Sequence, residues 1–315
     1  MIAMKSDASI RARFSVILAG VAILLGGSAA DAAEKIKVVA TFSVIGDMVA
    51  NVAGDKIDLV TLVGPAGDTE LFKPSLADGK NVAQAKIVFM NDLNDEFEPW
   101  LEPLLKQVKF SGAKVVVSRG AKTYTSSEER APRNKSTEEE IDQHAWLDPK
   151  NGVIYIRNIT AALARGDPAN AAEYRARADA YVKELQALDT WAKAEVATLP
   201  AAKRRVLASH DSLQYLAKAY GITLLSINGW TNNSEPSAAE LARLTQQIRQ
   251  EKINALFLDS ITDPRAMQQV AKETGVSIGG TLYGDALSKP GGEADTYLKM
   301  LRHDVTTLKA GMMKN

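Results

Sequence analysis

Short apolar runs alternate with longer amphipathic stretches along most of the chain. The short runs are rich in β-branched and other apolar residues, as in buried strands, and lie at 37–40, 59–63, 86–90, 114–118, 205–209, 222–227, 255–259 and 276–280. The amphipathic stretches have helical spacing and lie at 44–52, 75–85, 96–108, 212–219, 238–251, 264–273 and 294–309. This alternation predicts βα units, with parallel sheets covered by helices on both faces.

Two segments interrupt the alternation. Residues 121–142 are polar and charged and contain Pro132, a pattern that predicts a surface loop. Residues 167–199 are rich in Ala, Glu, Lys and Arg, and Pro168 and Pro200 lie where a helix would begin and end. Such a helix would be about 45 Å long, enough to run from one domain into the next.

The whole pattern predicts an α/β fold of two Rossmann-like βα lobes with parallel sheets, joined by one long helix. We place the first lobe at 33–166, the linking helix at 167–199 and the second lobe at 200–315. In open α/β sheets, ligands bind beyond the carboxyl ends of the strands. A binding site is therefore expected in the cleft between the lobes.

The start of the chain has the pattern of an export signal. Lys5, Arg11 and Arg13 precede an apolar run and then a stretch of small residues that ends at Ala33. The run has roughly 14 residues, fewer than the ~20 of a membrane-spanning helix. We expect residues 1–32 to be a cleaved signal peptide, with an uncleaved membrane anchor as the alternative. Because the chain has 0 Cys, we expect a free periplasmic protein, not a lipoprotein, that does not insert into the membrane.

Charge composition narrows the range of partners. The chain has 38 basic and 38 acidic residues and a formal net charge of +0. This balance favours neither nucleic acid nor an anionic membrane surface as a partner.

Candidate chemistry is concentrated in three segments. His144 lies in DQHAWLDPKN, His210 lies in SHDSLQYLAKAYG directly after a predicted strand, and Asp285 lies in the glycine-rich GGTLYGDALS after another. Imidazole nitrogens combined with carboxylate oxygens are the usual ligands of zinc and also bind manganese and ferrous iron. Each residue also has a purely structural explanation: His144 as a packed core residue, His210 as a helix cap and Asp285 as a turn residue. The third histidine, His303, has polar neighbours and is expected at the surface.

Five segments together resemble one family, the cluster A-I solute-binding proteins of zinc and manganese ABC transporters. The segments are NDLNDEFEPWLEPLL, DQHAWLDPKNG, SHDSLQYLAKAYGI, SEPSAAELARL and LYGDALS. The resemblance implies two α/β lobes bridged by a rigid helix, with one metal ion held between them by one ligand from each of four segments. By that match His144 is the second ligand, His210 the third and Asp285 the fourth.

The first ligand departs from the family pattern. Family members commonly carry a histidine in a segment like GDAHVYEPTP, whereas residues 67–75 read GDTELFKPS, which puts Glu70 at the histidine position. Asp68 is the alternative ligand. Two carboxylates favour manganese or iron more than a three-histidine site would, although affinity still rises toward zinc in the general divalent order. Zn²⁺ is therefore the expected ion, with Mn²⁺ and Fe²⁺ as alternatives.

The resemblance implies a monomeric periplasmic protein that captures a divalent ion and delivers it to an inner-membrane ABC permease without catalysing a reaction. A metallohydrolase with the same ligands would need an open coordination position and a nearby general base. No H-x-x-x-H or HExxH pattern is present to supply them. The remaining alternative is a member that lost metal binding with its first histidine and serves as an interaction or adhesion protein.

Overall fold

Two four-stranded parallel sheets form the framework of the computed structural model, which describes residues 34–94, 96–125, 141–209, 212–226, 238–251 and 253–315. The predicted signal peptide at 1–32 and most of the predicted loop at 121–142 lie outside the described residues. The elements of the first half are, in chain order, β1 (Ile36–Phe42), α1 (Ser43–Ala53), β2 (Ile57–Val63), α2 (Leu76–Gln84), β3 (Ile87–Met90), α3 (Leu101–Gln107), β4 (Ala113–Val116), a 3₁₀ turn (Ala145–Leu147) and α4 (Pro149–Gly166).

The second half repeats the design of the first. A 3₁₀ turn (Pro168–Asn170) and α5 (Ala171–Ala197) connect the halves. The second half then contains a 3₁₀ turn (Ala201–Lys203), β5 (Arg205–Ala208), α6 (Gln214–Tyr220), β6 (Thr223–Ser226), α7 (Ala238–Glu251), β7 (Ala255–Asp259), α8 (Arg265–Thr274), β8 (Ser277–Leu282) and α9 (Tyr297–Met312). The strand orders are β2-β1-β3-β4 and β6-β5-β7-β8, so the two sheets share the same topology. Neighbouring strands in both sheets are parallel. The predicted fold class is confirmed.

The inner strands of each sheet read as nearly continuous apolar runs because helices cover both faces of the sheet. In β1 five consecutive residues, from Val38 to Phe42, are buried, and all four residues of β3 are buried. Burial on both faces removes the alternation of apolar and polar residues that a half-exposed strand would show.

Helix α5 packs against both halves of the molecule. It contacts α1 and α4 of the first half and α6 and α9 of the second. Its 27 residues span about 40 Å. Tyr181 on this helix donates its hydroxyl hydrogen to Asp47 Oδ2 on α1 at 3.1 Å, and Lys309 on α9 lies 2.6 Å from Glu195 at its other end. The long helix expected between the halves is present.

Two helices differ from the pattern-based expectation. Helix α4 was not predicted; it begins with Pro149, and the Asp148 side chain caps it by accepting the N–H of Lys150. The predicted helix at 96–108 is shorter in the structure. The Asn94 side chain accepts the N–H groups of Glu96 and Phe97 and so stabilises a turn where the pattern predicted the first helical residues.

Loops at the carboxyl ends of the two sheets meet each other. Leu287, in the loop after β8, donates its backbone N–H to Ser43 Oγ at 3.0 Å, directly after β1. The carbonyl oxygen of Leu287 accepts the N–H of Ala66, in the loop after β2, at 2.8 Å. The two lobes are therefore joined on one side of the cleft by two hydrogen bonds of the Leu287 backbone.

None of the helices described is both long and apolar enough to cross a membrane.

Candidate metal centre

His144 is held at the start of the 3₁₀ turn Ala145–Leu147 with its ring fully buried. Its Nδ1 lies 2.7 Å from Asp142 Oδ1, and the same oxygen accepts the backbone N–H of His144 at 2.9 Å. This carboxylate fixes the orientation of the ring, as carboxylates commonly do for metal-binding histidines. The other nitrogen, Nε2, faces Asp285 Oδ1 at 3.1 Å. A histidine from the first half and a carboxylate from the second are thus in direct contact.

The electrostatic environment of His144 favours positive charge. Burial lowers the pKa of the imidazole, but the carboxylates of Asp285 and Asp142 outweigh burial and raise the pKa well above its usual value. The charges that stabilise a proton on this ring would equally stabilise a cation at Nε2.

Asp285 is fixed by close packing around the preceding residue. Gly284 lies so near the segment after β5 that a Cβ on it would be 2.1 Å from Ser212 Oγ. The Gly284 carbonyl oxygen also accepts the indole N–H of Trp146 at 2.9 Å. Asp285 itself is 1% exposed. Glycine is required at this position because any side chain would collide with Ser212.

Glu70 lies in the loop between β2 and α2 and is 5% exposed. Its Oε1 accepts a hydrogen from the Gln143 side-chain amide at 2.7 Å. The backbone of the preceding residue, Thr69, is fixed because its carbonyl oxygen accepts the indole N–H of Trp100 at 2.8 Å. Gln143 directly precedes His144, so the structure brings Glu70 next to the histidine segment.

His210 and Asp211 lie outside the described residues. The residues on either side of them are fixed at the carboxyl end of β5. Ser209 Oγ accepts the N–H of Asp259 at 2.7 Å, and Ser212 packs against the loop that carries Asp285.

Of the four predicted ligands, two are in direct contact, one is close to them, and His210 lies outside the described residues. His144 and Asp285 are in contact, and Glu70 is linked to the pair through Gln143. Within the described ranges, no group of three or more His, Cys, Asp or Glu residues has the geometry to hold a metal ion. Asp68, the alternative to Glu70, accepts the N–H of Leu71 at 3.0 Å and so stabilises the turn. The ligand set stays a prediction.

The polar neighbours of His303 predicted a surface position, but the residue is only partly exposed. It is half-buried, its Nε2 lies 2.9 Å from the carbonyl oxygen of Thr281, and its ring packs edge-on against Tyr283. The structure places it beside β8 in a structural role.

Several residues around the site were missed from the sequence. Asp142 could have been predicted, because an aspartate side chain often accepts the backbone N–H of the residue two positions later, here His144. Gln143 and Asn91 had none, since the hydrogen bond from Asn91 Nδ2 to the Gln143 carbonyl oxygen joins residues 52 positions apart. Glu98 is buried and accepts the N–H of Asn91, and burial raises the pKa of the Glu98 carboxyl to about 7.

Comparison with known families decides the relationship. The model of the family described as zinc-uptake complex component A periplasmic (ZnuA) matches residues 38–311. The chain belongs to this family. The metal ABC transporter substrate-binding lipoprotein FimA of Streptococcus parasanguinis is 32% identical over 314 residues, covering 98% of this chain and 99% of that protein. The manganese ABC transporter substrate-binding lipoprotein PsaA of Streptococcus anginosus is 32% identical over 316 residues, covering 99% of this chain and 100% of that protein.

The three-dimensional comparison agrees with the sequence comparison. The periplasmic zinc binding protein TroA from Treponema pallidum superposes with a TM-score of 0.79 at 27% sequence identity, covering 88% of this chain and 99% of that protein. The resemblance to the solute-binding proteins of zinc and manganese ABC transporters is confirmed. This member of the ZnuA family is therefore related to the substrate-binding proteins of metal ABC transporters.

The expected localisation is wrong. We expected a free periplasmic protein that is not a lipoprotein, but both streptococcal relatives are named as lipoproteins. The expectation rested on the 0 Cys of the chain, and the absence of one residue type does not establish how the protein is localised.

Proposed function

We propose that this ZnuA-family protein binds one divalent transition-metal ion in the cleft between its lobes and delivers it to the membrane permease of an ABC importer. The proposed ligands are Glu70 and His144 from the first lobe and His210 and Asp285 from the second. Capture and release require no chemical step, which agrees with the substrate-binding names of the relatives.

One observation carries the proposal: the buried contact between His144 Nε2 and Asp285 Oδ1 at 3.1 Å. A fully buried imidazole oriented by Asp142 and facing a second carboxylate across the cleft is the arrangement that metal ligands and their supporting residues make. An ion between these two atoms would join the lobes directly.

The other two ligands have indirect support. His210 directly follows Ser209, which is fixed at the carboxyl end of β5, and it lies two residues before Ser212, which touches Gly284 beside Asp285. Glu70 is supported by its burial and by its link to the residue that precedes His144.

Manganese is the cargo that we propose, with zinc as its competitor. Two imidazoles and two carboxylates make a harder donor set than three imidazoles and one carboxylate, and harder oxygen donors suit manganese. The names of the relatives support both ions, since PsaA of Streptococcus anginosus is named for manganese and TroA of Treponema pallidum is named for zinc. Zinc, which we expected first from the sequence, remains the ion that the general divalent order favours in affinity.

Calorimetric titration of the chelator-stripped protein with Mn²⁺ and Zn²⁺ tests the proposal. Alanine at Glu70, His144, His210 or Asp285 should each raise the Kd for both ions. The rise should exceed the roughly tenfold to hundredfold typical of changes to residues that only orient a ligand.

His303→Ala is the matched control, because it removes an imidazole bonded to Thr281 and should leave both Kd values unchanged. Equal losses from all the histidine variants would overturn the assignment. A parent protein that binds neither ion would favour a degenerate member that has lost metal binding.

A further inference from the structure

The side chain of Gln143 is buried between two segments of the first lobe. It is fully buried, and its Nε2 donates to Glu70 Oε1 at 2.7 Å. Its backbone carbonyl oxygen accepts a hydrogen from Asn91 Nδ2 at 2.8 Å. Gln143 is thus bonded to the loop after β3 through its backbone and to the Glu70 loop through its side chain.

The Asn91 end of this connection is fixed by three further hydrogen bonds. Asn91 accepts the Tyr155 hydroxyl at Oδ1 at 2.6 Å and the Ser118 hydroxyl at its carbonyl oxygen at 2.5 Å, and it donates its N–H to Glu98 Oε2 at 3.0 Å. All four side chains are buried. The backbone of Gln143 is therefore fixed to the loop after β3, at the carboxyl end of the first sheet.

We propose that Gln143 is a positioning residue for metal binding that holds Glu70 Oε1 and so directs Oε2 of that carboxylate to the ion. This inference rests on the proposed function, in which Glu70 is a ligand. An amide is suited to the task because it donates a hydrogen bond while it leaves the negative charge of the carboxylate available to the cation. A lysine or arginine at this place would neutralise that charge.

Gln143→Met tests the proposal because methionine keeps nearly the same length and volume but has no hydrogen to donate. We expect the Kd for Mn²⁺ and Zn²⁺ to rise roughly tenfold to a hundredfold, the range typical of losing a residue that orients a metal ligand. Gln143→Asn, which keeps the amide but is one methylene shorter, should have the same effect and serves if the methionine variant does not fold.

A double-mutant cycle distinguishes positioning from general packing. If Gln143 acts through Glu70, then Gln143→Met should cause no further loss of affinity in a Glu70→Ala background. The same loss in both backgrounds would overturn the proposal, because a packing effect does not depend on the Glu70 carboxylate. Gln186→Met, on the exposed side of α5, is the control for the substitution itself.

The two levels of inference can fail separately. If Glu70→Ala weakens binding but Gln143→Met and Gln143→Asn do not, the positioning role is wrong and the ligand assignment stands. If Glu70→Ala leaves the Kd unchanged, Glu70 is not a ligand. Both the proposed ligand set and the positioning role of Gln143 are then wrong. Melting of each metal-free variant, followed by circular dichroism, shows whether the fold is retained.

Discussion

The residue types in the cleft are determined by the close packing of its loops as much as by charge. Gly284 is the clearest example, since a Cβ there would lie 2.1 Å from Ser212 Oγ and 2.7 Å from Ser212 Cβ. Its neighbour Asp285 faces His144. A methyl group at residue 284 would therefore displace either the Asp285 loop or the segment that follows His210.

Gly284→Ala should lower the free energy of unfolding by about 1–3 kcal/mol, the usual cost of overpacking a buried site. It should also raise the Kd for Mn²⁺, because Asp285 moves away from His144. Urea unfolding of the metal-free protein and calorimetric titration measure the two effects. Gly64→Ala is the control, since a Cβ at Gly64 meets nothing within 4 Å and its effect should stay within about 0.5 kcal/mol.

The sequence identified the residues that carry charge but not those that position them. His144 and Asp285 could be named as candidate ligands because imidazole and carboxylate bind metals and because their segments resemble the ligand segments of the family. Gln143 and Gly284 could not, because their roles arise only when distant segments meet. An amide or a glycine has many uses, and its sequence neighbours do not reveal which one applies.

Among the elements, the 3₁₀ turn Ala145–Leu147 and helix α9 join the two halves. Trp146 on the turn donates its indole N–H to the Gly284 carbonyl oxygen at 2.9 Å. Tyr297 at the start of α9 donates its hydroxyl hydrogen to the Trp146 carbonyl oxygen at 2.5 Å and its backbone N–H to Asp47 Oδ2 at 3.0 Å. The turn that carries His144 is therefore bonded to the loop that carries Asp285.

Trp146→Phe should weaken this connection while it keeps most of the buried ring. The Gly284 carbonyl oxygen would lose a buried hydrogen bond, so we expect a loss of about 1–3 kcal/mol in the free energy of unfolding and weaker Mn²⁺ binding. Urea unfolding and calorimetry would show both. Trp191→Phe is the control, because Trp191 on α5 packs under Arg302 away from the turn and should leave the Kd unaltered. Equal Kd changes for both variants would contradict the role given to Trp146.

The pattern of apolar runs predicted most elements because a buried parallel strand requires a short run of apolar, often β-branched residues. Helix α4 escaped prediction for a physical reason. Asp148 and Pro149 mark its start, but the residues at 153–156 read VIYI, a β-branched and aromatic run that is typical of a strand. The bonds between the lobes were also beyond prediction, because they join residues as far apart as Ser43 and Leu287.

For the whole molecule, buried carboxyl groups link stability to pH. Burial raises the pKa of Glu98 to about 7 and raises those of Asp47 and Asp304 above their usual values. A group whose pKa is higher in the folded chain binds its proton more tightly there than in the unfolded chain. Its contribution to stability is therefore fully present at low pH and is lost as pH rises through the folded value.

For Glu98 this loss should occur between about pH 4.5 and pH 7 and amount to roughly 3 kcal/mol. Glu98→Gln removes the charge but keeps an oxygen for the N–H of Asn91, so the variant should be more stable than the parent at pH 8 and less dependent on pH. Urea unfolding of the metal-free protein from pH 5 to pH 8 measures this. An unchanged slope would refute it. Glu102→Gln, beside Lys114 on the exposed side of α3, serves as the control.

Leu287 has both of its backbone polar groups bonded to the opposite lobe, the N–H to Ser43 and the carbonyl oxygen to the N–H of Ala66. Leu287 and Ser43 are nearly inaccessible to solvent. Breaking one of these bonds alone would leave an unpaired buried group, so the two must break together as water enters. Under the proposed function, we therefore expect the dwell time of the ion to depend on the opening of this contact as well as on the strength of its ligands.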